Sequence, residues 1–246
     1  MRSIAIIPAR FASTRFPGKP LVIINGKPMV RHVYERCTDV FELVVVATDD
    51  RRIETAVKQF GGNVVMTSPS HPSGTDRCAE AAQFMESQGY DFDIVVNVQG
   101  DEPSVHKEQL KLILTCFDDH DTDIATLITP IESTETLFNP NKVKAVFSTR
   151  DFALYFSRHP IPYQRDCKEN EWLKNQDYYL HLGLYAYRTN VLQVLSKLEQ
   201  TPLEKSEKLE QLRWIENGFK IKTAITPYSN IGIDTPEDLE KFEKQI

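Results

Sequence analysis

Long apolar runs are absent from this sequence of 246 residues, and so is any excess of positive charge. No stretch approaches the roughly 18 apolar residues that a membrane-spanning helix requires, so no membrane insertion is predicted. The formal net charge of −6 argues against a protein that binds nucleic acid through its overall charge. The apolar run at residues 4–7 ends at Pro8 and Arg10, which does not match a secretory signal.

Cysteine is scarce and scattered, with four residues, no CxxC pair and no accompanying histidine cluster. A zinc site or a disulfide framework needs tighter grouping, so the cysteines are predicted to be buried, reduced thiols. Apolar residues make up 41% of the chain and charged residues 26%, which are ordinary globular values. Together these features predict a globular protein of the cytoplasm.

The first half of the chain alternates continuous β-branched runs with stretches of helical pattern. Such alternation predicts the α/β class, with a mostly parallel central sheet covered by helices on both faces. The predicted strands are residues 3–9, 43–48, 63–66, 94–98 and 124–129, and the predicted helices are residues 28–38, 51–60, 75–87 and 107–117.

The pattern changes after residue 140, where strands predominate. Residues 142–148 and 152–157 predict a hairpin, and the period-two alternation of residues 178–187 predicts a longer strand. Helices are predicted at 202–216, where Thr201 and Glu204 match a capping box, and at 236–244, with Thr235 as the N-cap. Because no flexible linker or repeat is found, we expect one domain, 1–246, with a β-rich insertion at about residues 140–190.

Ligands of open α/β sheets bind beyond the carboxyl ends of the strands. This rule selects four segments that follow predicted strands, namely residues 10–20, 49–50, 73–77 and 99–103.

The first of these segments, the cationic loop (residues 10–20), combines positive charge with hydroxyl groups, supplied by Arg10, Ser13, Thr14, Arg15 and Lys19. It is not a Walker A loop, because Lys19 is followed by Pro20, which offers neither an N–H donor nor a hydroxyl. Arginine forks and a lysine ammonium still suit phosphate oxygens. The loop therefore predicts a triphosphate site, with a solvated surface loop as the alternative.

An acidic segment, NVQGDEP at residues 97–103, ends the fourth predicted strand. Gly100 permits a sharp exit, which presents Asp101 at the same sheet edge as the cationic loop. A carboxylate beside a triphosphate favours Mg²⁺ between them. Asp234, in IGIDTPEDL at residues 231–239, offers a second carboxylate, although local rules equally allow a turn former or a helix cap.

Two side chains of the predicted strand 178–187 suggest a polar wall. His181 and Tyr185 share one face, with Gly183 between them leaving room for a ligand. A structural histidine is the alternative.

Further polar residues of the second half carry weaker signals. Arg158 and Arg165 flank the rigid stretch HPIPYQ and would bring cations to an acidic substrate, unless they are ordinary surface charges. Glu210 and Gln211 are expected to be exposed on the predicted helix 202–216.

Taken together, these motifs resemble the 3-deoxy-manno-octulosonate cytidylyltransferase (CMP-Kdo synthetase) family over nearly the whole chain. The resemblance rests on IPARFASTRFPGKPL (7–21), SGTDR (73–77), NVQGDEP (97–103), FNPNKVK (138–144), ALYFSR (153–158), HLGLYAYR (181–188), LEQLR (209–213) and IDTPEDL (233–239). One departure is Asp76, which stands where the family often has Glu.

The resemblance implies a Rossmann-like nucleotidyltransferase fold, a homodimer, and the reaction of CTP with Kdo to give CMP-Kdo and diphosphate for lipopolysaccharide synthesis. It implies that CTP is bound by Arg10, Ser13, Arg15, Lys19, Ser73, Gly74, Thr75 and Arg77, of which Arg15 and Lys19, with Asp101, would act in catalysis. Magnesium would be held by Asp101 and Asp234. The sugar pocket would be lined by Gln99, Arg158, Arg165, His181, Tyr185, Glu210 and Gln211.

Three other functions remain open on the sequence alone. They are a cytidylyltransferase for another 2-keto sugar acid such as sialic acid, a glycosyltransferase that consumes a sugar nucleotide, and a regulator that binds nucleotide without turnover.

Overall fold

The computed structural model describes residues 1–12, 16–229, 232–233 and 235–243, except for the side chains of Lys241 and Glu243. Three predicted site residues, Ser13, Arg15 and Asp234, lie outside the described residues, as does the predicted helix end at residue 244.

The predicted alternation of strands and helices is confirmed across the first half of the chain. The strands are β1 (Ser3–Pro8), β2 (Ile23–Ile24), β3 (Lys27–Pro28), β4 (Leu43–Thr48), β5 (Val64–Met66), β6 (Ile94–Asn97), β7 (Ile124–Pro130), β8 (Lys144–Phe147), β9 (Ala153–Ser157), β10 (Tyr179–Arg188) and β11 (Ile221–Ile225).

Helices follow most of the strands, as the sequence predicts. They are α1 (Met29–Thr38), α2 (Arg51–Gln59), α3 (Gly74–Ser87), α4 (Lys107–Thr115), α5 (Thr134–Phe138), α6 (Trp172–Asn175), α7 (Thr189–Leu195), α8 (Pro202–Glu207), α9 (Glu210–Glu216) and α10 (Pro236–Glu243). Short 3-10 turns lie at Lys19–Leu21, Cys116–Asp118 and Glu169–Glu171.

The chain divides into two compact units, of which the first comprises Met1–Lys111, Ala186–Ser196 and Asn230–Ile246. Its strands run parallel in the order β5-β4-β1-β6. The register pairs Pro8 with Ala47 and Ile6 with Asn97, so the carboxyl ends of β1, β4 and β6 lie at one sheet edge. Three of the four segments that the strand-end rule selects therefore begin at this edge.

The second unit comprises Leu112–Tyr185 and Lys197–Ser229. Strands β7 and β11 pair in parallel, while β8 pairs antiparallel with both β9 and β10. The predicted hairpin is confirmed, since the Ser148 N–H donates to the Phe152 carbonyl across its turn. The parallel pairs of both units confirm the α/β class. The predicted single domain with an inserted β-region stays a prediction.

The predicted continuous helix 202–216 is wrong. It is two helices, α8 and α9, separated by Lys208, whose φ of 55° is left-handed. The predicted capping box at Thr201 is also wrong, because the buried Thr201 hydroxyl makes no hydrogen bond within the described part of the chain. Glu204 instead binds Arg213, with Nε–Oε2 and Nη2–Oε1 distances of 2.8 and 2.7 Å.

The N-cap at Thr235 is confirmed, since its hydroxyl accepts the Asp238 N–H at 3.3 Å. The four cysteines are free thiols, and three of them are buried. Burial raises the pKa of the Cys116 thiol to about 12. Among the described residues, no helix is both long and apolar enough to cross a membrane.

Candidate active site

A cleft of about 250 Å³ opens in the first unit, where the polypeptide leaves β1 and β6. Three of the predicted segments meet in it: the cationic loop, the start of α3 and the segment after β6. Its lining consists of residues 8–10, 19–20, 71–74, 77 and 99–101. Gly100 allows this convergence, because a Cβ on it would lie 3.0 Å from the Pro8 carbonyl oxygen.

Lys19 and Asp101 bring opposite charges together in this cleft. The ammonium of Lys19 donates to Asp101 Oδ2 at 2.5 Å, although 82 residues separate them in the sequence. The Lys19 side chain is 11% exposed and that of Asp101 is 32% exposed, so the pair is partly shielded from water. A basic and an acidic segment therefore share one rim of the sheet.

Arg77 lies beneath the cleft with 4% of its surface exposed. Its Nη1 donates to Thr67 Oγ1 at 2.5 Å, and its Nη2 lies 3.2 Å from Asp49 Oδ2. Asp49 follows β4, so the fourth predicted segment contributes by fixing the guanidinium of Arg77. Such a buried, paired guanidinium is held rigidly where it borders the cleft.

The start of α3 forms another part of the cleft lining. Ser73 is its N-cap, because Ser73 Oγ accepts the Asp76 N–H at 3.2 Å and donates to Asp76 Oδ2 at 2.6 Å. Asp76 thus accepts from the Ser73 hydroxyl, whereas the acidic residue of a capping box accepts from the backbone N–H of the N-cap residue. Gly74 lies close to Pro8, since a Cβ on Gly74 would be 3.4 Å from Pro8 Cγ, while Thr75 is buried.

Sequence reasoning missed the pair of His71 and Glu80. His71 lines the cleft, and its Nε2 is hydrogen-bonded to Glu80 Oε2, which also accepts the Ser68 N–H at 2.8 Å. Burial works to raise the pKa of the Glu80 carboxyl, but the hydrogen bonds from Ser68 and His71 outweigh it and lower the pKa. The only sequence signal was that His71 lies two residues before the predicted segment 73–77.

A magnesium ion fits the donor chemistry of this rim. Asp101 presents carboxylate oxygens beside a cationic cleft, and Mg²⁺ is usually held by one or two carboxylates together with phosphate oxygens. Within the described ranges, no three or more His, Cys, Asp or Glu side chains form a ready-made metal cluster.

Gln99 lies in the first unit, lines the cleft, and donates to Asn97 Oδ1 at 3.1 Å. The other six residues predicted for the sugar belong to the second unit.

His181 and Tyr185 do lie together in the second unit, with ring centroids 5.3 Å apart. Burial lowers the pKa of the His181 imidazole to about 3, so the ring is neutral at physiological pH. Thr126 Oγ1 lies 3.0 Å from His181 Nε2 and has two carbonyl acceptors, Leu182 O at 3.2 Å and Leu184 O at 2.8 Å. The direction of the Thr126–His181 hydrogen bond follows the tautomer of the ring: an Nε2–H donates to the hydroxyl, and an Nε2 without a proton accepts from it.

The two predicted arginines differ in their surroundings. Arg158 donates to three backbone carbonyls, those of Glu207 at 2.7 Å, Pro140 at 3.1 Å and Lys208 at 3.4 Å. The Arg165 side chain is 90% exposed, with Asp166 at 3.5 Å. The structure thus ties Arg158 into the fold and leaves Arg165 at the surface.

Of the two side chains of α9 that were expected to be exposed, Gln211 is not. Gln211 is buried, because the helix turns this side chain inward together with Leu212 and Trp214. Glu210 is partly exposed and lies 3.8 Å from Arg213. The roles of all predicted sugar residues stay predictions.

Known proteins resemble the chain over its full length. The cytidylyltransferase family model matches residues 4–222. The 3-deoxy-manno-octulosonate cytidylyltransferases of Parabacteroides distasonis and Bacteroides thetaiotaomicron are 57% and 52% identical, covering 98% and 99% of this chain and 96% and 98% of their own lengths. A solved CMP:2-keto-3-deoxy-manno-octonic acid synthetase in complex with CTP superposes with a TM-score of 0.89 at 42% identity, covering 100% of this chain and 98% of that one.

The α/β fold, with a charged cleft at its strand ends, is that of a nucleotidyltransferase. The chain belongs to the cytidylyltransferase family, and its resemblance to the 3-deoxy-manno-octulosonate cytidylyltransferases is confirmed.

Proposed function

We propose that the cleft of the first unit carries the reaction that the relatives' names describe, the transfer of CMP from CTP to 3-deoxy-manno-octulosonate with release of diphosphate. The observation that carries the assignment of the site is the contact of Lys19 with Asp101 at the sheet edge. The CMP-Kdo product would serve lipopolysaccharide synthesis.

The nucleotide lies along the cleft in this proposal. Arg10 and Lys19, together with Ser13 and Arg15, bind the triphosphate, because these groups supply cations and hydroxyls to phosphate oxygens. The base and ribose lie against the start of α3, where Ser73, Gly74 and Thr75 follow one another and Arg77 is held by Asp49. Gln99, Arg158, Arg165, His181, Tyr185, Glu210 and Gln211 are the proposed sugar residues.

The chemistry needs positioning and charge neutralisation rather than a protein nucleophile. The anomeric hydroxyl of the sugar attacks the α-phosphorus, and diphosphate leaves on the opposite side. Lys19 and Arg15 offset the charge on the leaving diphosphate. When bound, Mg²⁺ lowers the pKa of the attacking hydroxyl and neutralises phosphate charge.

Asp101 and Asp234 are the proposed magnesium ligands. The support from the described residues is the Asp101 carboxylate, which has oxygen lone pairs beyond the one that accepts from Lys19. Lys19 is then shared between Asp101 and the phosphates, so nucleotide binding rearranges this pair.

A homodimer and a cytoplasmic location complete the proposal. The dimer is supported by the resemblance to the family alone. The location is supported by the four free cysteines, since reduced thiols are typical of a reducing compartment.

The test is an assay of diphosphate release from CTP, Mg²⁺ and Kdo, with a reaction lacking Kdo as the control. We expect Kdo-dependent release and a higher kcat/KM for Kdo than for sialic acid. Release no faster than in the control would refute the transfer reaction. Nucleoside diphosphate release from a sugar nucleotide would favour a glycosyltransferase, and CTP binding without turnover would favour a regulator.

Replacing Lys19 tests the phosphate assignment. Lys19→Ala is expected to raise the KM for CTP about 10- to 150-fold, because a hydrogen bond to a charged group contributes about 1.5–3 kcal/mol. The KM for Kdo should change much less. Initial rates with each substrate varied in turn measure both values.

Lys58→Ala is the matched control, since Lys58 is an exposed lysine of α2 paired with Glu54. It should leave both KM values unchanged. Equal increases of the two KM values in Lys19→Ala would contradict the phosphate role.

A further inference from the structure

Phe11 connects the cationic loop to α2. The guanidinium carbon of Arg52, in the first turn of α2, lies 3.3 Å from the centroid of the Phe11 ring. This is a stacked cation–π contact, with the planar guanidinium close against the ring. The sequence does not predict this contact, because Arg52 lies 41 positions after Phe11 and belongs to no motif.

The Phe11 ring also packs against the backbone of Gly18, the residue directly before Lys19. The Gly18 N–H donates to the Phe11 carbonyl at 2.9 Å, and this hydrogen bond holds the two residues together. Gly18 has a left-handed φ of 72°, and a Cβ there would lie 3.0 Å from two ring atoms of Phe11. The ring therefore packs directly on the residue that sets the direction of Lys19.

Arg52 is itself held rigidly. Its Nε donates to Asp50 Oδ1 at 2.9 Å and its Nη2 donates to Asp50 Oδ2 at 2.6 Å, so the fork is bidentate. Asp50 is also the N-cap of α2 and accepts the Arg52 N–H at 2.9 Å. Helix α2 begins directly after β4, whose neighbour in the sheet is β1. The guanidinium is thus anchored to the same sheet edge that carries the cleft.

We infer that Arg52 is a positioning residue for nucleotide binding, because it clamps the Phe11 ring and through it the Gly18-Lys19 backbone. This rests on the proposed phosphate role of the cationic loop. Arg52 does not touch the nucleotide in this account. It fixes Phe11 and the Gly18-Lys19 backbone before binding, so less conformational entropy is lost when the triphosphate is bound.

The expected size of the effect follows from the contact. A cation–π pair at an exposed site contributes about 0.5–1 kcal/mol, which converts to a two- to fivefold change in an equilibrium. Arg52→Ala should therefore raise the KM for CTP about two- to fivefold, with the KM for Kdo unchanged. Arg52→Lys should recover only part of the loss, because it keeps the charge and loses the planar stack.

Arg51→Ala is the matched control, since Arg51 is the exposed neighbouring arginine in the same helical turn. It should leave the KM for CTP unchanged. A double-mutant cycle with Phe11→Leu tests the route of the effect: if Arg52 acts through the ring, Arg52→Ala adds nothing in the Phe11→Leu background. Additive effects would overturn the proposal.

Limited trypsin digestion without nucleotide measures the clamp independently of substrate binding. The cut after Arg10, next to Phe11, should be about two- to fivefold faster in Arg52→Ala than in Arg51→Ala, because local opening exposes this bond. Each variant lacks one arginine, so the two variants have the same number of trypsin sites.

These outcomes distinguish the clamp, meaning the contact of Arg52 with the Phe11 ring, from the proposed phosphate role of the cationic loop. Unchanged cleavage in Arg52→Ala would overturn the clamp, and faster cleavage with an unchanged KM for CTP would overturn its role in nucleotide binding. If Lys19→Ala left the KM for CTP unchanged while Arg52→Ala was cleaved faster, the phosphate role of the loop would be refuted and the clamp upheld.

Discussion

Asp101→Asn is expected to lower kcat about 100- to 1,000-fold while the protein remains folded, because it removes the carboxylate charge that the described rim offers to a metal–nucleotide complex. Asparagine has nearly the same shape, and the Asp101 carbonyl keeps its hydrogen bond from the Ile233 N–H at 3.0 Å. Only the carboxylate charge is lost. Steady-state diphosphate release, with circular dichroism to check folding, measures the effect.

A magnesium titration separates a metal role from a general loss of charge. If Asp101 is a ligand, the Mg²⁺ concentration that gives half-maximal activity should rise in Asp101→Asn. The control is Asp91→Asn, since the Asp91 side chain is 69% exposed and paired with Arg2. An unchanged half-maximal Mg²⁺ concentration in Asp101→Asn would remove Asp101 from the metal role.

Glu204→Gln is expected to lower the free energy of unfolding of the second unit by about 3–5 kcal/mol, because it removes the buried carboxylate that pairs with Arg213 and leaves the charge to the more distant, partly exposed Glu210. The Glu204 and Arg213 side chains are both buried, and Arg213 gives two of its donors to Glu204 and a third to the Leu198 carbonyl at 2.9 Å. The glutamine side chain is neutral, and its NH₂ group cannot accept the second hydrogen bond from the Arg213 guanidinium. Urea denaturation followed by tryptophan fluorescence measures the change.

Tryptophan is a specific reporter here, because the two tryptophans of the chain, Trp172 and Trp214, are both buried in the second unit. Glu199→Gln, at an exposed position before α8, is the matched control and should change stability by no more than about 0.5 kcal/mol. A loss in Glu204→Gln as small as in this control would mean that the pair does not stabilise the unit.

Two of the errors in the sequence predictions lie at helices α8 and α9. Pro202 suits a helix start, Leu209, Leu212 and Ile215 recur at helical spacing, and no glycine or proline marks the break at Lys208, so the pattern predicts one helix. Glu204 stands where a capping box needs it, yet its carboxylate binds Arg213 of the next helix. At Glu204, a buried partner nine residues further along the chain thus competes with the local capping rule.

The candidate site was predicted in part. Strand-end segments led to Arg10, Lys19, Arg77, Gln99 and Asp101, and the structure places all five around one cleft. His71, Glu80 and Arg52 were missed, because each is defined by what it touches rather than by a motif. Ser13, Arg15 and Asp234 lie outside the described residues, and their roles stay predictions.

The sequence by itself determined the α/β class, the order of most strands and helices, and the family, because hydrophobic periodicity and long motifs are properties of neighbouring residues. Only the tertiary structure decided that Lys19 meets Asp101, that Asp49 holds Arg77, and that Arg52 stacks on Phe11. These contacts depend on β1 lying between β4 and β6, which brings the ends of three strands to one edge. Strand order is set by packing over the whole unit, and no local pattern encodes it.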